Sequence, residues 1–222
     1  MQKPVKRLWK VVGRDETGIG HAIIPDRIQP GSWILDAGCR RYDFVDGVLH
    51  LDKGCKILAV DPDPKAKQKR GKDVIFVQAA LLNQYKKSIT INTTQDPSTF
   101  FVPEERYKPR RQDLAKTFTA PVTTIGRLMK EYKIKEFSVV KFDIEGSEYD
   151  ILMNWPGPIA DQISCEFHDA YPGRNPYPDP EQYYKKLFKH IGQWYDIVHH
   201  KQSGPMWARN YWDSLFVRKP SK

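Results

Sequence analysis

The sequence lacks the features of a membrane-spanning or disulfide-stabilised protein. No apolar run approaches the roughly 20 residues that a bilayer-spanning helix needs, and no apolar signal-peptide segment follows the basic N-terminus. Cys39, Cys55 and Cys165 are far apart and contain no CxxC pair. Such a set is typical of reduced thiols rather than of disulfides or a zinc site. These absences predict a cytoplasmic protein without a membrane span.

Phosphate-binding loops and internal repeats are missing as well. There is no Walker phosphate loop and no GxGxxG fingerprint, because the glycine turn at Gly38 continues as Cys-Arg-Arg-Tyr-Asp. No low-complexity tract or Gly/Ser linker divides the 222 residues. We therefore expect one domain over residues 1–222, with an N-terminal extension over residues 1–30 and a basic insertion loop over residues 94–119.

Positive charge is in excess. Lysine and arginine number 36 against 27 aspartate and glutamate residues, which gives a formal net charge of +9. Such an excess favours an anionic partner such as nucleic acid, a nucleotide sugar or a phospholipid surface. Much of it lies in two short runs, at residues 65–72 and 106–111, and charge runs are more often solvent-exposed loops. Nucleic-acid binding therefore stays an open alternative.

Apolar runs of strand length alternate with segments of helical spacing. Buried strands are predicted over residues 32–37, 56–61, 73–78, 138–144 and 162–168, and helices over residues 125–132 and 179–191. Two β-rich runs at the end of the chain, residues 194–199 and 211–217, have no helix between them. This order predicts an α/β fold with a Rossmann-like, doubly wound, mostly parallel sheet and a C-terminal antiparallel hairpin.

Ligands of such sheets bind beyond the carboxyl ends of the strands, and these ends carry acids in this sequence. Asp36 precedes Gly38 after the first strand, and a glycine there lets the backbone approach a ligand closely. Asp61 ends the second strand, where a carboxylate can accept both hydroxyls of a ribose; an aspartate before Pro62 is equally typical of a turn. Together these positions favour an adenosine ligand without phosphates, such as S-adenosylmethionine.

The most informative segment is Asp143-Ile-Glu145-Gly-Ser-Glu148. Three carboxylates within six residues at a strand end are costly when buried and unpaired. They therefore face water, or they bind a group with donors or positive charge. The ammonium and sulfonium of S-adenosylmethionine suit them, as does a metal ion.

This segment, DIEGSEYDIL, resembles the signature of the FkbM family of methyltransferases. The agreement extends to WILDAGC, AVDPDP, VQAAL and ISCEFH, in the family's order between residues 33 and 168. The resemblance implies a class I methyltransferase fold, S-adenosylmethionine as cofactor and S-adenosylhomocysteine as product. The implied acceptor is a hydroxyl on a sugar, a polyketide or another small molecule.

The resemblance also implies roles for single residues. The methionine end of the cofactor would be lined by Asp36, Gly38 and Cys39, the ribose held by Asp61, and the adenine bordered by Gln78, Ala79 and Ala80. Asp143 would face the methionine moiety or the reacting centre. One departure is that the family's first motif has a second glycine about three residues after Gly38, where this chain has Arg41 or Tyr42. This leaves the geometry of the loop open.

A general base near the methyl group would help an alcohol to react. We expect His168 in this role, with Glu166 or Glu145 as partner or alternative, because all three follow strands next to Asp143. A histidine packed near a strand end is an equally good interpretation of His168. A divalent-metal site from Asp143, Glu145, Glu166 and His168 is a less favoured alternative, and we predict no metal because no ligand spacing fixes one.

Two further functions remain open. A nucleic-acid methyltransferase would fit the net charge and the aromatic Tyr107 and Phe118 in the basic insertion, although the DIEG motif differs from the proline-rich motif of amino-methylating enzymes. A non-enzymatic nucleotide- or nucleic-acid-binding module on the same fold would fit the altered glycine loop.

Overall fold

We describe the fold from a computed structural model, which covers residues 9–13, 20–66, 71–93, 116–144, 146–168, 180–203 and 211–220. Within these ranges the chain forms twelve strands and four α-helices. The strands are β1 (Lys10–Val12), β2 (His21–Ile23), β3 (Trp33–Ala37), β4 (Lys56–Asp61), β5 (Val74–Gln78), β6 (Ala80–Leu81), β7 (Ser88–Thr93), β8 (Lys116–Thr123), β9 (Phe137–Phe142), β10 (Ala160–His168), β11 (Tyr195–Ser203) and β12 (Tyr211–Arg218). The helices are α1 (Asp43–Leu49), α2 (Ile125–Glu131), α3 (Glu148–Asn154) and α4 (Pro180–Ile191).

Seven strands form the central sheet, in the order β11-β12-β10-β9-β3-β4-β5. Five neighbouring strands of this sheet, β10, β9, β3, β4 and β5, are parallel to one another. β12 is antiparallel to both β10 and β11. The order runs outwards in both directions from β3, so the sheet is doubly wound. The predicted α/β fold with a mostly parallel sheet and a C-terminal antiparallel hairpin is confirmed.

Both faces of the central sheet are covered, which explains the continuous apolar runs in its strands. Ile34, Ile57 and Val139 pack with α1 on one face. Leu35, Leu58 and Phe142 point to the opposite face and pack with α2, α3 and α4. Because strand side chains alternate, the acids at the strand ends are assigned to a face by the same period of two.

The described residues of the N-terminal extension, 9–13 and 20–30, are part of this fold. β1 and β2 pair as an antiparallel ribbon, and Ala22 and Ile24 pack on Leu215 and Val217 of β12. The buried Gln162 side chain fastens the ribbon to β10: its Oε1 accepts from Ile24 N at 2.7 Å, and its Nε2 donates to Ile24 O at 3.1 Å.

The insertion predicted over residues 94–119 ends earlier than expected. β8 begins at Lys116 and pairs antiparallel with β7, so the last residues of the predicted loop are strand. The alternation Lys-Thr-Phe-Thr-Ala, continued by a valine, supports this strand. Residues 94–115, which carry most of the expected basic loop, lie outside the described residues. None of the helices in the described ranges is both long and apolar enough to cross a membrane.

Candidate active site

The carboxyl ends of β3, β9 and β10 place charged side chains on one face of the sheet. Asp36 of β3 lies directly beside Lys141 of β9 in the strand register. Asp143 follows two residues after Lys141, and Glu166 is on the same face of the neighbouring strand β10. Asp36, Lys141 and Glu166 are buried, whereas the Asp143 side chain is 30 % exposed.

Lys141 is the positive centre of this group. Its Nζ lies 3.1 Å from Asp36 Oδ1 and 3.3 Å from Asp143 Oδ2, and donates to Gly38 O at 2.8 Å. Burial alone would lower the pKa of Lys141, but the carboxylates of Asp36 and Asp143 outweigh burial and raise it. Lys141 therefore stays protonated, and its ammonium lies between the two carboxyl groups at the strand ends.

The turn after β3 depends on Gly38. Its φ is +84°, and an added Cβ would lie 1.8 Å from the carbonyl oxygen of Asp143, so no side chain fits. Gly38 N and Cys39 N both bond to Val60 O, which holds the turn between β3 and β4. Burial, followed by the charge of Asp36, raises the pKa of the Cys39 thiol. Cys39 is thus a buried, neutral thiol that packs in the turn, and it does not act as a nucleophile.

The position without the expected second glycine keeps a glycine-like backbone. Tyr42 has φ +62° and ψ +12°, which is the left-handed conformation, and it directly precedes α1. Its ring is buried with Phe44 and Val48 in the core under α1. The chain therefore forms a left-handed turn without glycine, and the tyrosine ring supplies packing that a glycine would not.

Asp61 lies at the end of β4 and is buried. Its Oδ1 accepts from Asp63 N at 2.8 Å, so the turn expected at Pro62 is present. Burial raises the pKa of Asp61 to about 6, against the lowering effects of the Asp63 amide and Lys141. Ala79 N bonds to Asp61 O, which brings the residues after β5 next to this acid; Ala79 and Ala80 are buried and Gln78 is exposed.

The catalytic candidates are brought together in part. Asp143 and Glu166 lie close together, as expected. One carboxylate oxygen of each and a ring nitrogen of His21 all lie within 4.8 Å of one another. His168 ends β10, but nothing is described of its side chain, and Glu145 lies outside the described residues. The roles assigned to these four residues stay predictions.

Sequence reasoning did not find two residues of this site, Lys141 and His21, and it grouped Glu148 with the acids that face water or a ligand. Lys141 could have been found, because a lysine within the apolar run FSVVKF calls for a buried counter-ion. The buried Glu148 is not a ligand-facing acid: its carboxylate accepts from Ile144 N at 2.9 Å and Gly146 N at 2.8 Å and shapes the turn before α3. His21 had no local signal, because it arrives from a separate ribbon.

Comparisons with known proteins show the family of the chain and its fold. Residues 35–200, well over half of the chain, match the model of the methyltransferase FkbM domain. No curated protein matches the chain. Among solved structures, the Methanococcus jannaschii fibrillarin pre-rRNA processing protein has a TM-score of 0.53 at 10% identity, over 94% of this chain and 76% of that one.

Two further solved structures are more distant. The Burkholderia thailandensis 1,6-didemethyltoxoflavin-N1-methyltransferase, with bound S-adenosylhomocysteine, has a TM-score of 0.42 at 12% identity, over 86% of this chain and 72% of that one. The N-methyltransferase NodS from Bradyrhizobium japonicum has a TM-score of 0.41 at 10% identity, over 86% of this chain and 88% of that one. At these identities likeness concerns the fold alone. The family match decides the class: the chain belongs to the FkbM family of methyltransferases and uses S-adenosylmethionine as its cofactor.

Proposed function

We propose that this protein methylates a hydroxyl oxygen on a sugar, a polyketide or another small molecule. The observation that carries the proposal is the meeting of Asp143 and Glu166 beside the Gly38 turn. This arrangement places carboxyl groups that can accept the proton of an acceptor hydroxyl. They lie next to the backbone that would hold the methyl donor. The three cysteines are free and buried, which is consistent with a cytoplasmic location.

The residues at the strand ends fit the cofactor. Asp36 Oδ2 is buried and accepts no hydrogen bond within the described ranges, and a buried acceptor without a donor costs free energy. The ammonium of the methionine moiety carries such donors. In our proposal Gly38 and Cys39 border the methionine end, Asp61 accepts the ribose hydroxyls, and Gln78 to Ala80 border the adenine.

S-adenosylmethionine supplies, when bound, an electrophilic methyl group on a sulfonium. The work left to the protein is to align the acceptor with the methyl group, to exclude water and to accept a proton. Glu166 is the proposed base, with His168 and Glu145 as alternatives. Lys141 Nζ lies 3.3 Å from Asp143 Oδ2 and positions this carboxyl group, which in our proposal faces the reacting centre and stabilises positive charge there.

Methyl transfer from labelled S-adenosylmethionine to a panel of hydroxylated acceptors tests this proposal. We expect transfer to at least one small acceptor, with the label recovered as an acid-stable methyl ether. The Glu166→Gln variant should lower kcat about 10²- to 10⁴-fold, the range of general-base catalysis, and leave cofactor affinity unchanged. Label on nitrogen or carbon only, or full activity of Glu166→Gln, would contradict the proposal.

A second candidate is methylation of RNA. The net charge of +9 favours an anionic partner, and the fibrillarin that shares the fold is named as a pre-rRNA processing protein. The same labelled assay with total RNA separates the two candidates. Transfer to RNA that falls steeply with added salt would favour this one.

A further inference from the structure

His21 stands out because it reaches the strand ends from outside the sheet. It is 7% exposed, and its ring packs edge-on against Phe44 at a centroid distance of 5.7 Å. Its Nε2 lies 3.7 Å from Asp143 Oδ2, which is an ionic approach but too long for a hydrogen bond. A buried imidazole nitrogen is thus directed at a carboxylate without bonding to it.

The position of His21 is fixed by the N-terminal ribbon. The backbone of Ile24 is bonded at both its N–H and its carbonyl by Gln162 of β10. Ile24 lies beside Gln162. His21, three residues before Ile24, comes close to Glu166, four residues after Gln162. β2 and β10 therefore run in opposite directions at this point. The hydrogen bonds of Gln162 to the ribbon therefore fix the position of the His21 ring at the site.

Three ligand atoms of different residues converge here. One nitrogen of His21 and one oxygen each of Asp143 and Glu166 all lie within 4.8 Å of one another. Ligand atoms around a divalent ion, with bonds of about 2.0–2.2 Å, lie about 3–3.5 Å apart. Small rotations of these side chains would close the difference. Three ligands on one side of an ion would leave further positions for the oxygen of an acceptor.

The charges of the neighbourhood favour a cation. The one positive charge of Lys141 is shared between Asp36 and Asp143, and Glu166 adds another carboxylate on the same face. Lys141 Nζ and His21 Nε2 both approach Asp143 Oδ2, at 3.3 Å and 3.7 Å, so an ion would share the Asp143 carboxyl group with Lys141. An imidazole with two carboxylates suits Mn²⁺, Fe²⁺ or Zn²⁺ better than the all-oxygen preference of Ca²⁺ and Mg²⁺.

We propose that His21, Asp143 and Glu166 form a site for a divalent transition-metal ion that activates the acceptor hydroxyl. The proposal rests on the proposed O-methylation. In this arrangement Glu166 acts as a ligand of the ion instead of as the base. The metal-bound hydroxyl loses its proton to water, its oxygen forms a bond to the methyl carbon, and the carbon–sulfur bond breaks. The electron pair of that bond stays on sulfur, which gives S-adenosylhomocysteine and a methyl ether.

Titration of the EDTA-treated, full-length protein with Mn²⁺, followed by the electron paramagnetic resonance signal of the free ion, tests the site. We expect one saturable site, weakened at least tenfold in His21→Ala and in Glu166→Gln. His50→Ala is the matched control, because His50 is an exposed histidine at the end of α1, and it should bind as the unaltered protein does. Thermal melts without metal establish that each variant is folded, and Glu166→Gln preserves side-chain size if His21→Ala is unstable.

Calorimetry with S-adenosylmethionine in EDTA keeps the two proposals apart. We expect both variants to bind the cofactor as the unaltered protein does, because neither residue is assigned to the cofactor. Absence of a saturable Mn²⁺ site, or equal Mn²⁺ binding by both variants, would overturn the metal site and leave the methyltransferase proposal intact. Mn²⁺ binding together with methylation of nitrogen or carbon alone would instead overturn the proposed O-methylation.

Discussion

Lys141 is the residue on which the charge balance of the strand ends depends. Its ammonium lies within 3.3 Å of both Asp36 and Asp143, and Asp36 is fully buried. Removing one partner of a buried pair leaves an uncompensated charge, and this costs more than the pair itself contributes. We therefore regard Lys141 as a positioning residue of the cofactor site rather than as a catalytic one.

Lys141→Met should lower the free energy of unfolding by about 3–5 kcal/mol, because it leaves the Asp36 carboxylate buried without a cation. Urea unfolding measures the loss. Lys130→Met, which alters an exposed lysine of α2, should stay within about 0.5 kcal/mol of the unaltered protein. Adding Asp36→Asn to Lys141→Met should recover part of the loss; simple addition of two losses would contradict the pairing.

Tyr42 adopts the left-handed conformation in the turn where the family resemblance implies a second glycine, at Arg41 or Tyr42. Tyr42→Gly would relieve about 1 kcal/mol of backbone strain but remove a buried ring worth about 3–5 kcal/mol. We expect a net loss of about 2–4 kcal/mol in urea unfolding. Tyr42→Phe keeps the ring and should lose less than about 1.5 kcal/mol, the usual size of one hydrogen bond. A Tyr42→Gly protein more stable than the parent would show that the ring is dispensable.

At the scale of elements, the N-terminal ribbon is held on the sheet by the hydrogen bonds of Gln162 and by the apolar packing of Ala22 and Ile24 on β12. Gln162→Leu would remove both hydrogen bonds to the Ile24 backbone. We expect faster proteolysis within the first 30 residues and faster exchange of the Ile24 amide, at a stability cost of about 1–3 kcal/mol. Gln193→Ala, which removes an exposed hydrogen bond after α4, should leave both rates unchanged. Unchanged cleavage of Gln162→Leu would mean that apolar packing alone holds the ribbon.

The elements of the central sheet could be predicted because their side-chain pattern is local. β4 has the bounds expected from its sequence, and α2 begins at Ile125 as expected, with Thr124 accepting from Arg127 N at 3.2 Å. β10 begins two residues earlier than expected, since it pairs with β9 already at Ala160. The acids at the strand ends followed from the same pattern, because strand ends are where parallel sheets bind ligands.

The rest of the site could not be predicted because it depends on contacts between distant segments. His21 meets Asp143 across more than a hundred residues of chain, through a ribbon whose strands are only three residues long. The first residues of β8 fall within the predicted loop because residues 94–119 as a whole carry prolines and charges without a period. The family resemblance supplied the cofactor, which periodicity alone left as an adenosine ligand without phosphates.

At the scale of the whole molecule, cofactor binding should depend on pH through Asp61. Burial raises the pKa of Asp61 to about 6 in the free protein. The charge of Lys141 lowers this pKa, and the charges of Asp63 and Asp36 raise it. Ribose hydroxyls donate to the ionised carboxylate, so binding should strengthen as the pH rises through 6. We expect affinity to be about tenfold weaker at pH 5 than at pH 7, since each pH unit below a pKa costs up to tenfold. The matched variant Asp61→Asn should flatten this dependence, and a parent protein without it would contradict the role of Asp61.

Cofactor binding at the carboxyl ends of β3 and β4 can be measured by calorimetric titration with S-adenosylmethionine and S-adenosylhomocysteine at pH 7.5. We predict saturable binding of both, at about one molecule per chain, weakened at least tenfold by Asp61→Ala, since loss of hydrogen bonds to a charged group is worth about 1.5–3 kcal/mol. Folded protein that binds neither compound at millimolar concentration, or equal binding by Asp61→Ala, would contradict the account.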